Sequence, residues 1–385
     1  MDSSTPGSTP QTELVCIEQN EMAGPWNSMP PSTADIVLKI YDEQVGATVP
    51  EPGHGEDNYP IFKPGYHEVV AKVLYTGVCQ SGTAAGANGK PIMKVKLPHI
   101  EGREGVGRIV ALGGGWRDDV TIGDLVGIRF GISSIDHLYH KDGSFQEYVV
   151  LDCGYLCILP RDTDPPALVV PVLCAREMQA VTNANVKHGH WVVVVGAAGG
   201  LGHLAVQYAR VSGARVIGID GGPEKERFVR SLGASEYIDF KAVPNTAEKV
   251  HEVTKDGADA VIVTSGSAET LSQAADMLRV GGRLCCVDVP PEGCIETRIS
   301  TISTMVAKGL HMVGTPVSSV WDCVEAVDHV WLGHVTPRVV IRDFKDLTAV
   351  YDEIERGDIM GQVVLRVAKD IPGMPRFSSL KPTVN

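Results

Sequence analysis

A dense run of glycines directly follows a run of apolar residues, and this junction constrains the fold more than any other feature. The four valines after Trp191 predict a buried parallel strand that ends at the glycine turn, residues 196–202. A helix is expected to open at Leu201, and its pattern continues over residues 204–209. A strand, a glycine turn and a helix N-terminus together bring backbone N–H groups close to a pyrophosphate. The junction therefore predicts a dinucleotide-binding α/β unit.

A second apolar run, residues 214–219, ends at an acidic residue, Asp220. Asp220 follows Gly199 by about 20 residues. At this spacing a carboxylate binds the adenosine ribose hydroxyls and repels a 2′-phosphate. The turn departs from the G-x-G-x-x-G pattern only at Ala197. We therefore expect NAD(H) rather than NADP(H). The expected cofactor-binding residues here are Gly199, Gly200, Leu201, Gly202 and Asp220.

Length and charge limit the classes of function. The chain has 385 residues, enough for two domains, and a formal net charge of −13. Without basic clusters, nucleic acid and anionic membrane surfaces are not expected partners. Neither a secretory signal nor an apolar span of 18 residues is present in the sequence. Nine cysteines scattered through apolar segments indicate reduced thiols, so we expect a cytoplasmic protein.

The pattern changes twice along the chain. Residues 1–30 are expected to be a largely disordered extension, because the segment opens with many Ser, Thr, Pro and Gly residues. Short alternating strands and many glycines then predict a β-rich domain. From Trp191, strands alternate with helices, which predicts a doubly wound parallel sheet. We expect a split β-rich domain, residues 31–176 and 316–385, around a nucleotide-binding domain, residues 177–315.

The glycine turn and several further motifs resemble the zinc-containing alcohol dehydrogenases of the medium-chain dehydrogenase/reductase superfamily. The resemblance extends in order over residues 64–367. It implies a GroES-like catalytic domain wrapped around a Rossmann domain, an active site in the cleft between them, and a homodimer or homotetramer. The further motifs are Gly77-Val78-Cys79, Gly105-x-Gly107, Asp142-Gly143-Ser144-Phe145-Gln146-Glu147-Tyr148 and Leu173-Cys174-Ala175.

The resemblance implies a catalytic zinc held by two cysteines and a histidine, but this chain keeps only the cysteines, Cys79 and Cys174. Arg103 stands where the family has the histidine, and a guanidinium has no lone pair for a metal and repels it. The acid that steadies the lost histidine is replaced by Gly82. With Glu104 as a substitute, at most Cys79, Glu104 and Cys174 form a weaker metal site. The sequence therefore disfavours a functional catalytic zinc.

Other family features are divided between those kept and those lost. A structural zinc is not expected, because residues 129–141 contain no cysteine where the family has a four-cysteine lobe. Ser81 keeps the hydroxyl of the family's proton relay, which makes it the best candidate general acid. Lys225 matches the lysine that reaches the adenosine ribose. Gln362 replaces the arginine that holds the pyrophosphate, so we expect weaker phosphate binding.

Two interpretations of Arg103 are open. It could replace the metal electrostatically, because a fixed cation can hold a carbonyl or enolate oxygen. Alternatively, it could form a structural bridge with Glu101 or Glu104. The candidate catalytic residues are Cys79, Ser81, Arg103, Glu104 and Cys174.

We expect an NAD(H)-dependent oxidoreductase that interconverts an alcohol and an activated aldehyde or ketone, with specialised metabolism as one setting. Without zinc, a simple unactivated alcohol is a poor substrate, so a small activated carbonyl or conjugated enone is favoured. The first alternative is an ene reductase, in which the hydride adds β to a carbonyl. The second is a lyase or cyclase that keeps the nucleotide domain as a scaffold.

Overall fold

The computed structural model describes residues 45–47, 56–58, 64–78, 100, 102–115, 119–129, 143–160, 165–173, 175–264, 268–287, 299–315 and 318–370. Two compact units divide the chain after Glu43, and every described residue belongs to the second unit. The strands of the described residues are β1 (Val45–Ala47), β2 (Glu56–Asn58), β3 (Glu68–Gly77), β4 (Glu104–Leu112), β5 (Leu125–Arg129), β6 (Tyr148–Asp152), β7 (Cys157–Ile158), β8 (Trp191–Val195), β9 (Arg215–Asp220), β10 (Glu236–Asp239), β11 (Ala258–Val263), β12 (Leu278–Cys286), β13 (His311–Gly314), β14 (Val339–Asp343) and β15 (Gln362–Arg366). The helices are α1 (Pro165–Leu173), α2 (Ala175–Asn183), α3 (Gly202–Val211), α4 (Pro223–Ser231), α5 (Thr246–Thr254), α6 (Ala268–Asp276), α7 (Ile299–Lys308), α8 (Val320–Trp331) and α9 (Leu347–Arg356).

A parallel sheet forms the middle of the chain, with the strand order β10-β9-β8-β11-β12-β13. This is the order 3-2-1-4-5-6 of dinucleotide-binding doubly wound sheets, and all five strand pairs are parallel. Alternate residues of β8 belong to two different cores: Val192 and Val194 pack in one, Val193 and Val195 in the other. The unbroken valine run therefore fits a strand covered on both faces, as the sequence predicted.

A second sheet has the order β14-β15-β3-β4-β5-β7, and β6 also pairs with β3. Its strands come mainly from the first half of the described chain and are mostly antiparallel. Val69, Ala71 and Val73 alternate along β3 and pack in one core with Ile109 of β4. This is the β-rich domain that the sequence predicted. None of the described helices is long and apolar enough to cross a membrane.

The end of the described chain returns to this second sheet. β14 and β15 pair in parallel, and β15 then pairs antiparallel with β3 through Val364 and Gly77. Helix α9 lies between β14 and β15 in the chain. This return places the first residue of β15, Gln362, next to the glycine turn and next to the end of β3.

An ion pair holds the segment after β15 against β4. Arg108 Nε lies 2.7 Å from Asp370 Oδ1, and Arg108 Nη2 lies 3.0 Å from Asp370 Oδ2. The third nitrogen, Nη1, donates to Gly123 O at 2.9 Å. The Arg108 side chain is only 9% exposed, whereas that of Asp370 is 32% exposed. A bidentate ion pair of this kind is stronger than an ordinary surface ion pair.

We expect Asp370→Asn to lower the free energy of unfolding by about 1 to 2 kcal/mol, because it leaves a buried guanidinium without its counter-charge. Urea titration followed by fluorescence measures the change. Asp343→Asn is the matched control, since Asp343 meets Arg366 at 3.4 Å on the exposed surface. The control should change the free energy by less than about 0.5 kcal/mol. Equal effects for the two variants would contradict the assignment.

Candidate active site

The glycine turn between β8 and α3 has the geometry that close approach of a ligand requires. Gly196 has a φ of +78°, a conformation that favours glycine. A Cβ on Gly202 would lie 2.0 Å from Gly196 O, so this position admits no side chain. Helix α3 begins at Gly202, and the first N–H groups of a helix have no partner within it. The turn and the helix N-terminus thus have the backbone geometry that anion-binding sites use, and binding of a pyrophosphate here stays a prediction.

Asp220 ends β9 and connects the turn to the start of α4. Its Oδ2 accepts from Ala198 N at 2.9 Å, inside the glycine turn. Its Oδ1 accepts from Lys225 Nζ at 2.8 Å and from Gly221 N at 2.9 Å. The structure thus brings together the predicted residues Asp220 and Lys225, and it fixes the carboxylate at the edge of the turn.

Gln362 occupies the other side of the turn. A Cβ on Gly200 would lie 1.9 Å from Gln362 Oε1, so the carboxamide fills the space directly above Gly200. Gln362 Nε2 donates to Val78 O at 2.6 Å. The Gln362 side chain therefore contacts both the predicted phosphate-binding turn and Val78, the residue that precedes Cys79.

A cluster of charged residues lies at the start of β4 and the start of α2. It comprises Arg103, Glu104, Arg176 and Glu177. Both arginines act electrostatically on Glu104, and Arg176 Nε lies 3.8 Å from Glu177 Oε1. The Glu104 backbone is fixed by the hydroxyls of Thr76 and Ser144, which donate to its carbonyl at 2.8 and 2.9 Å. We call these four residues the charged cluster.

The electrostatics of the charged cluster favour a protonated Glu104. Burial raises the pKa of Glu104 from its ordinary value of 4.5 to about 7, and the nearby charges of Arg103 and Arg176 oppose that rise only in part. The Glu104 carboxyl can therefore hold a proton at neutral pH and also release it. Groups with such a pKa in a cleft are candidates for acid–base chemistry.

Arg103 is half-buried. Its side chain forms no hydrogen bond and no ion pair within 4.0 Å with the described residues. A bridge to Glu104 at contact distance, one of the two interpretations of Arg103, is therefore not formed. Glu101, the other predicted partner, lies outside the described residues, as do the candidate catalytic residues Cys79, Ser81 and Cys174.

The described neighbours of Cys79 and Cys174 belong to the site. Val78, which precedes Cys79, is held by Gln362 Nε2 and by its own N–H bond to Val363 O at 3.2 Å. Helix α2 begins directly after Cys174 and carries Arg176 and Glu177 of the charged cluster. The end of β3 thus meets the start of β15 beside the glycine turn, and the start of β4 is bonded to the same end of β3 through Thr76 and Glu104.

Comparison with known proteins identifies the family. The zinc-binding dehydrogenase model matches residues 200–331, and the model of the alcohol dehydrogenase GroES-like domain matches residues 65–161. An alcohol dehydrogenase of Schizosaccharomyces pombe is 32% identical over 356 residues, which cover 86% of this chain and 100% of that protein. The chain belongs to the zinc-type alcohol dehydrogenase family. Members of this oxidoreductase family bind a nicotinamide dinucleotide and usually zinc.

Solved structures agree with the fold. The alcohol dehydrogenase of the archaeon Aeropyrum pernix has a TM-score of 0.71 and 25% identity, and the match covers 84% of this chain and 99% of that one. The structure of CAD from Helicobacter pylori complexed with NADP(H) has a TM-score of 0.70 and 21% identity, with 85% and 99% covered. The GroES-like and Rossmann architecture predicted for this family member is therefore confirmed.

Two of the three candidate zinc ligands, Cys79 and Cys174, lie outside the described residues. The residues that the structure describes contain no group of three His, Cys, Asp or Glu side chains placed to hold a metal. Of the three ligands considered, only Glu104 is described, and its raised pKa and two neighbouring guanidinium groups work against a bound divalent cation. The metal site of Cys79, Glu104 and Cys174 stays a prediction.

Sequence reasoning missed two buried polar residues on α3. His203 Nδ1 donates to Gly199 O at 3.2 Å, and its Nε2 accepts from Arg338 N at 3.2 Å. One turn later, Gln207 Oε1 accepts from Thr336 N at 2.8 Å. Burial lowers the pKa of His203 to about 4, so the ring is neutral with the proton on Nδ1. Both residues lie within the helical pattern of the sequence, and no local signal distinguishes them from its other members.

We expect the stability of this family member to depend on pH through Glu104. The unfolded carboxyl ionises near its ordinary pKa of 4.5, whereas the folded one has a pKa of about 7. The folded state therefore binds more protons between these values, and its stability falls as pH rises from 4.5 through 7. Position 104 does not titrate in the Glu104→Gln variant. The free energy of unfolding of this variant, relative to that of the unaltered chain, should therefore increase by on the order of 3 kcal/mol as the pH rises through this range.

Urea titrations of the metal-free protein at pH 4.5 and pH 8, in the presence of a chelator, measure this difference. Glu355→Gln is the control, because Glu355 is exposed on α9 and lies outside the charged cluster. In the control, the free energy of unfolding should change with pH as it does in the unaltered chain. If the free energy of unfolding of Glu104→Gln also changed in that way, the assignment of a raised pKa to Glu104 would be wrong.

Proposed function

We propose that this chain is an NAD(H)-dependent oxidoreductase that interconverts an alcohol and an activated aldehyde or ketone, with Arg103 holding the substrate oxygen. The observation that carries this proposal is the half-buried Arg103 beside a buried Glu104 whose pKa is about 7. Together they offer a permanent cation and a transferable proton, which the proposal places at the edge of the dinucleotide site. Membership of an alcohol dehydrogenase family supports the reaction class.

The two residues divide the work on the substrate oxygen. A bound nicotinamide supplies or accepts the hydride. In carbonyl reduction, the Arg103 guanidinium donates to the oxygen and stabilises the negative charge that develops there. Glu104 holds a proton that neutralises this oxygen, and in alcohol oxidation it accepts the proton instead. Ser81 stays a candidate for passing that proton, as predicted from its position in the sequence.

Asp220 supports NAD(H) over NADP(H). Its carboxylate is only 8% exposed and is fixed by three hydrogen bonds at the end of β9. A 2′-phosphate placed beside it would meet a like charge in a partly desolvated position. Lys225 is already paired with the same carboxylate at 2.8 Å, so its charge is largely compensated before a phosphate arrives.

Fluorescence titration with NADH and NADPH tests the cofactor proposal. NADH should bind at least about tenfold more tightly, a difference of about 1.4 kcal/mol. Asp220→Asn should narrow this preference, because it removes the like charge and keeps an acceptor for Ala198 N. Equal affinities for the two cofactors in the unaltered chain would contradict the assignment to NAD(H).

Substitution of Arg103 tests the electrophile. With NADH and a panel of activated aldehydes, ketones and enones, Arg103→Ala should lower kcat/KM by about 10² to 10³, the effect of removing a donor to a developing oxyanion. Arg103→Lys should recover part of the loss, because it keeps the charge but not the planar fork. Arg342→Ala is the control, since Arg342 is exposed and paired with Glu353 on the surface.

Two results decide the outcome for Arg103. Full turnover by Arg103→Ala would reject Arg103 as the electrophile. Arg103→His restores the family's ligand type, so metal analysis of that variant beside the unaltered chain shows whether the arginine excludes zinc.

Reduction of enones at the carbon β to the carbonyl, with aldehydes and ketones untouched, would favour the ene reductase instead.

A further inference from the structure

Two histidine rings meet where α8 ends. His329 Nδ1 lies 3.3 Å from His334 Nδ1, and the centroids of the two rings are 5.5 Å apart. The side chain of His334 is exposed, whereas that of His329 is half-buried. Neither residue belongs to the proposed active site. We call these two residues the histidine pair.

The backbone at the end of α8 brings the two rings together. Gly333 has a φ of +74°, the left-handed conformation in which helices commonly end. Gly333 N donates to Val330 O at 3.0 Å, and His334 N donates to His329 O at 2.9 Å. These are the two hydrogen bonds of a Schellman motif. Such a motif often has an apolar contact between the two positions that the histidine pair occupies here.

The distance between the two nitrogens fits a shared zinc ion. Zinc binds imidazole nitrogen at about 2.0 to 2.1 Å with tetrahedral geometry, so two imidazole ligands of one ion lie about 3.3 to 3.4 Å apart. The two Nδ1 atoms already have this separation. In the metal-free protein, one of them must carry a proton, because two lone pairs facing each other would repel. A metal ion would take the place of that proton.

The surroundings of the histidine pair favour a cation. His329 lies in the last turn of α8, where the helix carbonyl groups give a partial negative charge. Burial, followed by the neighbouring His334, lowers the pKa of His329 against the opposing charges of Glu325 and Asp328. The His329 ring is therefore neutral at pH 7, which is the form that binds a metal.

Tyr208 of α3 supports the inner side of the histidine pair. Its ring meets that of His329 edge to face, with the centroids 5.8 Å apart, and Tyr208 is only 2% exposed. The hydroxyl of Tyr208 donates to Ala326 O of α8 at 3.4 Å. A ligand whose ring is held by packing loses less freedom when a metal binds. The exposed His334 leaves the other side of the pair open to solvent.

We propose that the histidine pair is a binding site for a divalent transition-metal ion of the zinc type, with both Nδ1 atoms as ligands. The residues described by the structure include no third His, Cys, Asp or Glu placed to complete it. Water fills the remaining positions, so the site binds more weakly than a closed structural zinc site. The bound ion joins the last turn of α8 to the segment that leads to β14, and it stabilises the folded chain without taking part in hydride transfer.

Calorimetric titration of the chelator-treated protein with zinc tests the proposal. The unaltered chain should have a zinc site that is weakened at least about tenfold in both His329→Gln and His334→Gln, since losing even a partner of a metal ligand costs that much. His311→Gln is the matched control, because it removes an exposed imidazole on β13 and leaves the histidine pair intact. Magnesium prefers oxygen ligands and should not bind at the pair.

Thermal unfolding with and without zinc gives a second measurement. Because the ion binds at a site that the folded backbone assembles, zinc should raise the Tm of the unaltered chain and of His311→Gln. It should raise the Tm of His329→Gln and His334→Gln by a smaller amount. The same scans without zinc show that both variants fold.

Three results would overturn the proposal. The first is equal zinc affinity in the unaltered chain and in both variants of the histidine pair. The second is loss of the site in only one of these two variants, since the ion would then not be shared by both rings. The third is an equal loss in His311→Gln, because a single exposed imidazole would then bind zinc as well as the pair. The proposed oxidoreductase function is tested separately by NADH binding, and its failure leaves this inference unchanged.

Discussion

The hydrogen bond from Gly361 N to Ala198 O, 2.8 Å long, joins the two sheets at the point where chemistry is expected. Around it, His203 holds the backbone of Arg338 and Gln362 covers Gly200. A shared core supports this junction: Val106 of β4 and Val364 of β15 pack in the same buried cluster as Val192 of β8. Hydride transfer requires reacting atoms about 3 to 3.5 Å apart, so precise placement of one half against the other is part of the catalytic equipment.

In the function that we propose, the charged cluster performs the task that a metal usually has in this family. Arg103 has a permanent charge, whereas Glu104 has a pKa of about 7 and is neutral or charged according to its surroundings. Such a pair differs from a metal ion because two groups share the task. Arg103 attracts the substrate oxygen, and Glu104 transfers the proton. If the proposed function holds, protein groups alone polarise the substrate in this family member.

Much of the nucleotide half could be predicted because its signals are local. The valine run, the glycine turn and Asp220 follow one another within 30 residues, and each sets the structure of its own neighbourhood. The site could be predicted only in part. Arg103 and Glu104 are adjacent in sequence, but the approach of Arg176 depends on the packing of α2, and Gln362 meets Val78 across 284 positions. No periodicity or motif encodes such a contact, which exists only once both sheets have formed.

The pairing of β15 with β3 has a consequence for the order of folding. Val364 lies opposite Gly77, so the last strand of the second sheet completes a structure begun almost 300 residues earlier. Closing so long a loop in a flexible chain is slow, because its entropy must be lost before the contact forms. The parallel sheet lies entirely within that loop, and its folding brings the two ends together. During synthesis, the β-rich half must therefore wait, with one strand position beside β3 unfilled, until the nucleotide-binding half has emerged and folded.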